Sequence, residues 1–499
     1  MRVKSSATTD RKTRLLLSAV LALGVALRAY RLGYQSIWGD ERWDTWFARH
    51  DLVDLLRVVR DDAFHPPLYY LGLHFWIDLA GTSAAALRTP PLVAGVVTIL
   101  FTFLLARRLF TPSTALIAAA FGAVSQLAIM YSQDATSYAL YMCLSVIQTC
   151  ALVVALQQKR RRDWILLAAV TTMFLYTHYF ACLVIGGQFL FLLLRRRAYP
   201  GGLARFTLVG LVATLLLLPW VVAVAGELTT TERTIGPGVG VSLRSLDRML
   251  TRFNNGRVLG IHERSSPIAI LLGFLAFTVP AGVAMFGGWR RRERLASTHS
   301  DGIILCTILA FGPLAVLFAL SLANPRFQFV YHRYLLICLA PYYILAARGY
   351  ASIGLPTLRT GAVCMTIALS LVSCRALYMH YKPDWRGALT YLHASMPNSA
   401  VCRSSVYLLD DLVELNSPGF TPVVSPIDLE TGSYQAHDEI WLISVTWTEW
   451  HRDVARQVAE RMRRDYEIVS SSSFRDMDVV VYRRISSART VRRRDMNPV

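Results

Sequence analysis

Charge is scarce in this chain. Asp, Glu, Lys and Arg make up 17% of its 499 residues, against about a quarter in an ordinary soluble domain. Acidic residues are the rarer sign, 33 against 52 basic, for a net charge of +19. Cysteine occurs eight times but never with a useful spacing. Seven (Cys143, Cys150, Cys182, Cys306, Cys338, Cys364, Cys374) lie in apolar stretches and Cys402 stands alone, so neither a disulfide framework nor a zinc site is supported. No small-x-small cleavage site closes the N-terminal apolar stretch, which runs on to Tyr30; it reads as an uncleaved first span rather than a signal peptide. The polar C-terminal part lacks a nucleotide-binding glycine motif, and no internal repeat is visible. What is abundant is apolar: 54% of residues are hydrophobic, and runs of membrane-spanning length recur from residue 14 to about 378.

The basic excess is placed, not spread. Arg107-Arg108, Lys159-Arg160-Arg161-Arg162, Arg195-Arg196-Arg197 and Arg290-Arg291-Arg292 sit in short loops between apolar runs. That is the positive-inside pattern, and it accounts for the charge without a nucleic-acid partner. The tail Arg492-Arg493-Arg494 reads as a solvated or headgroup-facing end. With the N-terminus inside, spans fall near 14–30, 88–106, 113–131, 138–156, 163–177, 179–194, 206–225, 267–288, 302–323, 332–347 and 361–378. The expected fold is therefore a polytopic α-helical membrane protein of about 11 transmembrane helices with a small C-terminal α/β soluble domain. Its membrane part is 1–378 and its extracytoplasmic part 379–499. The parity requires that Pro66 to Ala80, an aromatic segment short for a span, lies at the interface or re-enters the bundle.

Outside the membrane lie the loop 31–87, the loop 227–266 and the C-terminal region. Trp43, Trp46, Phe47, Leu52, Leu55 and Leu56 predict short amphipathic helices in the first loop. Gly236-Pro237-Gly238-Val239-Gly240 follows no strand and precedes no Lys-Ser/Thr, so it reads as a mobile loop. Strands are expected at Glu439–Ile443 and Asp478–Tyr482, and helices at Asp384–Met396 and Asp453–Asp465.

The polar residues that interrupt this pattern share a face. Asp40, Glu41, His65, Arg88, Tyr131, Asp134, His178, Asn324, Arg326, His332 and Arg333 all fall at outer span ends or in outer loops. Singly, each reads as an interfacial side chain that snorkels to water, Arg88 and Arg326 above all. Together, carboxylates, histidines and arginines at one membrane face suggest a shared site with a base and an anion-binding side.

Ser36-Ile37-Trp38-Gly39-Asp40-Glu41, His65-Pro66-Pro67-Leu68-Tyr69-Tyr70 and Tyr176-Thr177-His178-Tyr179 resemble the membrane glycosyltransferases of the GT-C fold. The similarity is greatest to the branch of protein O-mannosyltransferases and the lipid A aminoarabinose transferase. Arg333-Tyr334-Leu335-Leu336 with Pro341, and Asp384-Trp385-Arg386-Gly387, are similar to bacterial members. One position departs: relatives usually carry Arg where this chain has Thr136, so another cation must take that place.

The resemblance implies sugar transfer from a polyprenyl-phosphate donor to a hydroxyl acceptor (lipid, glycan or protein) at the outer face of the plasma membrane, with inversion. Nucleotide sugars are not available there, so the donor arrives on a lipid carrier that is itself a good leaving group. One carboxylate must then take the acceptor proton, and cations must steady the departing phosphate. The family motif implies Asp40 as the base, with Glu41 orienting the acceptor or a neighbouring side chain. Arg326, His332 and Arg333 are the phosphate candidates, and His65 is expected near sugar or phosphate. Tyr69, Asp134 and His178 complete the substrate-binding set. Acidic groups near a lipid phosphate could hold Mg²⁺, but Asp40-Glu41 alone is no metal motif. Two other classes remain: a transporter or flippase of lipid-linked sugars, which should show repeated halves, and a non-catalytic envelope assembly protein.

Overall fold

In the computed structural model the described residues are 2–230, 242–255, 267–290, 297–324, 329–380, 382–397, 401–404, 414–417, 424–426, 437–446 and 449–485. Arg326, the glycine run at 236–240 and the basic tail lie outside them. The chain divides into two compact units. One comprises Met1–Leu32, Phe47–Ala80 and Leu87–Met379; the other comprises Gly33–Trp46, Gly81–Ala86 and His380–Val499. Two stretches of the first loop thus go with the C-terminal region.

The first unit is helical. Its chain order begins α1 (Arg2–Ala29), α2 (Gly39–Ala48, whose last two residues belong here), α3 (Leu52–Asp62), α4 (Leu68–Ala80), α5 (Ala84–Leu109), α6 (Pro112–Ala123) and α7 (Gln126–Ser132). It continues with α8 (Tyr138–Gln158), α9 (Arg161–Leu175), α10 (Ala181–Leu194), α11 (Gly202–Thr230), α12 (Leu243–Phe253) and α13 (Pro267–Gly273). A five-residue π turn, Phe274–Thr278, joins α13 to α14 (Val279–Arg290); α15 (Ser297–Ala323), α16 (Leu339–Ala351) and α17 (Pro356–His380) follow. Nine of the eleven expected spans fall on continuous helical stretches; 113–131 is broken into α6 and α7, and 332–347 opens with a turn before α16. Among the described residues six helical stretches are long and apolar enough to cross a membrane, and a seventh if the α6–α7 pair, bent by 58°, is one span. The runs in α9, α10 and α16 are shorter. The Pro66–Ala80 segment is the 13-residue α4.

Packing separates inner from outer helices. The apolar window of α8 is 83% buried and that of α11 only 22%. The inner helix carries polar groups, and these are satisfied internally. Gln148 of α8 donates to Gln188 Oε1 of α10 (2.9 Å) and to Thr171 Oγ1 of α9 (3.3 Å), as a low-dielectric interior requires. The outer helix shows Leu208, Leu211, Leu215 and Leu216 to its surroundings, as lipid contact demands. Where α14 crosses α16, Gly349 admits the backbone of Pro280; a Cβ there would stand 1.9 Å from the Pro280 carbonyl oxygen.

The α6–α7 bend is held by an arginine. Breaking the helix at Val124-Ser125 frees the carbonyls of Gly122 and Ala123, and Arg28 at the end of α1 donates to both at 3.1 Å. Its Nε reaches Ser132 Oγ at 3.1 Å, and Gly95 of α5 makes the room, since a Cβ there would collide with Ser132. Gln133 caps α1 in return, donating to the carbonyls of Arg28 and Tyr30. Arg88, expected to snorkel, is instead buried and donates to the Leu32 carbonyl at 2.9 Å.

The second unit is built on a five-stranded mixed sheet, order β2-β1-β3-β5-β4. The strands are β1 (Val401–Ser404), β2 (Val424–Pro426), β3 (Glu439–Val445), β4 (Tyr466–Phe474) and β5 (Met477–Arg484). β1 runs parallel to β2 and β3, while β5 is antiparallel to β3 and β4. Ile440, Leu442, Val458, Met462, Tyr466 and Tyr482 form a core under α19 (Glu449–Met462), and α18 (Trp385–Ser395) also packs on β5. The strands and helices expected here are present; β1, β2 and β4 were not foreseen.

Candidate active site

In the first unit, turns bring two histidines and an arginine together. Pro66 and Pro67 keep His65 out of α4, and the Leu68 N–H donates to the Tyr176 carbonyl at 3.1 Å. That bond ties the start of α4 to the turn after α9 that carries His178. The imidazole rings of His65 and His178 lie 5.0 Å apart. His178 stacks on Tyr141 at 4.5 Å, and Tyr138, the first residue of α8, touches both histidines at 5.9 Å. Arg333, in the turn before Leu336–Cys338, sets its guanidinium 5.4 Å from the Tyr138 ring and 4.8 Å from the Tyr331 ring. It also donates to the Tyr138 hydroxyl at 3.5 Å.

Burial decides the charge of this cluster. Desolvation, reinforced by the positive charge of Arg333, lowers the His65 pKa to about 4. Desolvation likewise drives His178 well below the usual histidine range, with His65 and Arg333 adding to it. Both rings are neutral at working pH, so Arg333 supplies the fixed positive charge. His178 Nδ1 accepts from the Phe180 N–H at 3.1 Å; in the neutral ring the proton must therefore be on Nε2. That buried Nε2 has no hydrogen-bond partner among the described residues. An orphaned buried donor costs about 1–3 kcal/mol, and such a cost points to a group kept for another purpose. We expect His178→Phe, which removes the orphaned donor but also the acceptor of the Phe180 N–H, to leave thermal stability little changed while transfer falls at least tenfold. A variant that unfolds with proportionate loss of activity would show that His178 is a packing residue.

The pH dependence has a definite sign. His65 takes up a proton near pH 6.5 when unfolded and near pH 4 when folded. Its effect on stability is absent above pH 6.5. As pH falls from there to about 4, the unfolded state binds more protons and stability declines. Acid titration of His65→Gln should show a shallower decline than wild type over that interval, and an identical curve would contradict the assignment.

The other expected residues are placed as follows. Tyr69 is buried, its ring 5.9 Å from Tyr70, whose hydroxyl lies 3.4 Å from His65 Nδ1. His332 is buried with its ring 5.8 Å from Tyr131, which in turn contacts Tyr138. Asp134 is buried and accepts from Thr136 Oγ1 at 3.5 Å. Thr136, where relatives usually carry arginine, is thus a polar partner of Asp134. The cation on this segment's side is Arg333, at Tyr138, two residues farther on.

Asp40 and Glu41 belong to the second unit, in the first turn of α2, where the helix dipole favours carboxylates. Their environments differ sharply. Asp40 is half-buried, whereas Glu41 is fully buried and pairs with Lys382 Nζ at 2.7 Å, itself buried. Glu41 Oε2 also accepts from the Trp38 N–H at 3.4 Å. The preceding segment is clamped as well. Asn416 exchanges two hydrogen bonds with the Ile37 backbone, at 2.8 and 2.9 Å, and Arg386 grips the carbonyls of Gly33 and Tyr34. Glu41 thus holds the turn that carries Asp40, orienting a neighbouring segment of the chain. Sequence reasoning missed Lys382 and Asn416, for which a lone Lys and a lone Asn give no signal. Tyr138 and Tyr334 were quoted within motifs but given no role; Tyr334 packs 5.8 Å from His178. Among the described residues no three His, Cys, Asp or Glu side chains are grouped to hold a metal ion.

Residues 64–222, which include His65, Tyr138 and His178, match the family profile described as dolichyl-phosphate-mannose-protein mannosyltransferase. That segment is about a third of the chain. No curated protein sequence matches the chain significantly. Among solved structures it resembles ArnT from Cupriavidus metallidurans, in the apo state, at TM-score 0.54 and 13% identity over 95% of this chain and 98% of that one. ArnT bound to undecaprenyl phosphate matches at 0.54 and 11%, over 93% and 97%. The archaeal oligosaccharyltransferase AglB from Archaeoglobus fulgidus, in complex with an inhibitory peptide and a dolichol-phosphate, matches at 0.57 and 12%, over 94% and 74%. At these identities the likeness is one of fold.

Proposed function

We propose that the chain is a GT-C glycosyltransferase that moves a sugar, with inversion, from a polyprenyl-phosphate donor to a hydroxyl acceptor of the cell envelope at the outer face of the plasma membrane. The observation that carries the reading is the Arg333 guanidinium over Tyr138 and Tyr331, beside two uncharged histidines. One fixed cation with neutral donors around it suits a phosphate that must be held and then released. Structures of similar fold are described with undecaprenyl phosphate and with a dolichol-phosphate.

In this reading Asp40 takes the proton of the acceptor hydroxyl as its oxygen bonds to the anomeric carbon. The bond from that carbon to the phosphate oxygen breaks, and its electron pair leaves with the lipid phosphate. Arg333 balances the charge that develops there, His178 Nε2–H and His65 donate or orient on the same side, and His332 assists. Tyr69 and Asp134 act on the substrate side through their neighbours. Since the leaving group is already acidic, no second carboxylate is required, in contrast to glycosidases. The test is purified protein with a polyprenyl-phosphate donor labelled in the sugar. Stoichiometric release of lipid phosphate with label moving to an envelope acceptor is expected. Movement of intact donor between leaflets without release would make the protein a flippase, and no activity on any donor would favour an assembly role.

The reading includes eleven crossings, with the N-terminus cytoplasmic and residues 379–499 extracytoplasmic. It is supported by continuous helical stretches at nine of the eleven expected spans and by basic residues in the loops they leave inside. A reporter fused after Lys382 should be active only outside the cytoplasm. Cytoplasmic activity there would overturn the span count.

A further inference from the structure

α9 and α11 pack against each other but leave a groove of ≈ 520 Å³ on their flank, at the end remote in sequence from the His178 turn. Its wall is apolar, formed by Ile165, Ala168, Leu208, Val209 and Val212. Its mouth is basic: Lys159, at the left-handed residue that ends α8 (φ 58°), Arg161 opening α9, and Arg205 on α11. Trp164 stands between the two zones, with the Arg205 guanidinium 5.9 Å from its ring. The nearest acidic side chain in sequence, Asp163, faces Arg162 at 3.9 Å and does not line the groove.

Each part of this arrangement answers a part of one ligand class. An apolar trough on the outside of a membrane helix pair takes an acyl chain. A tryptophan at its rim suits the headgroup level. Three cations at one end, with no carboxylate among the lining residues, select a negative headgroup, because basic pockets between transmembrane helices attract anionic lipids. We propose that this groove is a binding site for an anionic glycerophospholipid, with the phosphate at Lys159, Arg161 and Arg205 and an acyl chain along Val209 and Val212. In the orientation proposed above, that lipid belongs to the cytoplasmic leaflet. The site uses none of the residues assigned to transfer.

Native mass spectrometry of the full chain, titrated with phosphatidylglycerol or phosphatidylcholine of the same acyl composition, tests it. Phosphatidylglycerol is expected to be retained in preference, and added salt to weaken its retention but not that of phosphatidylcholine. The double variant Arg161→Gln/Arg205→Gln should weaken phosphatidylglycerol retention roughly thirtyfold, each basic group near an anionic lipid being worth about a factor of five. Equal retention of the two lipids, or an unchanged double variant, would overturn the site. So would displacement of phosphatidylglycerol by inorganic phosphate, which would mean a free anion is read and the apolar wall is idle. The salt comparison uses wild-type protein and stands even if a variant fails to fold.

Discussion

Asp40→Asn should lower sugar transfer by roughly 10²–10⁴-fold, the usual contribution of a positioned base, with donor binding little changed. Asparagine keeps the shape and hydrogen-bonding capacity of the side chain and loses only the proton acceptor. Asp40 is suited to the task by position: it is half-buried in the first turn of α2, open enough to meet an acceptor. Turnover and donor binding measured on the same preparation separate the effects. Arg333→Ala should weaken both, since a phosphate contact acts before and during transfer. An Asp40→Asn protein that transfers at near the wild-type rate would remove Asp40 from the mechanism and leave Glu41 to be tested as base.

Glu41→Gln should destabilise the second unit by about 3–5 kcal/mol, the cost of stranding one member of a buried ion pair. Buried Lys382 would face a neutral amide where a carboxylate now stands at 2.7 Å. The same principle predicts rescue. Replacing both partners, as in Glu41→Gln/Lys382→Met, removes the stranded charge and should restore most of the lost stability. Thermal unfolding of the single and double variants measures this. Transfer by the double variant then distinguishes holding from catalysis: activity within about tenfold of wild type fits a group that holds the α2 turn, whereas a folded but inactive double variant would make Glu41 chemically necessary.

How much of this could be read from the chain depends on the range of the interaction concerned. Transmembrane helices announce themselves locally, because twenty apolar residues in a row have few alternatives; the expectation failed where a span is broken, at 124–125 and before Leu339. The C-terminal strands with continuous apolar character, β3 and β5, were visible for the same reason. β4 was not: it is an edge strand with most side chains exposed and Ser470 to Ser473 in its middle. β1 and β2 are too short, at four and three residues, to carry a periodicity. Long-range pairings left no local mark at all. Nothing around Lys382 indicates a partner 341 residues earlier, and nothing around Arg88 indicates that the Leu32 carbonyl will take it inside. The His65 and His178 motifs were legible as motifs, but their neutrality was not, since it follows from burial beside Arg333.

The arginine at the α6–α7 bend bears on how the protein is made. Arg28 leaves the ribosome with the first helix, yet the Ala123 carbonyl that receives it is 95 residues downstream. At about 5–20 residues per second, that is a wait of roughly 5–20 s. Meanwhile a cation at the end of an apolar helix has only the interface to reach for. The first helix must therefore enter the membrane in a provisional position, its arginine extended to the headgroups, and settle only when the sixth helix arrives and breaks. The bend and the arginine are each costly alone and inexpensive together, so that the final seating of α1 is a late event in biogenesis that waits on a helix synthesised much later.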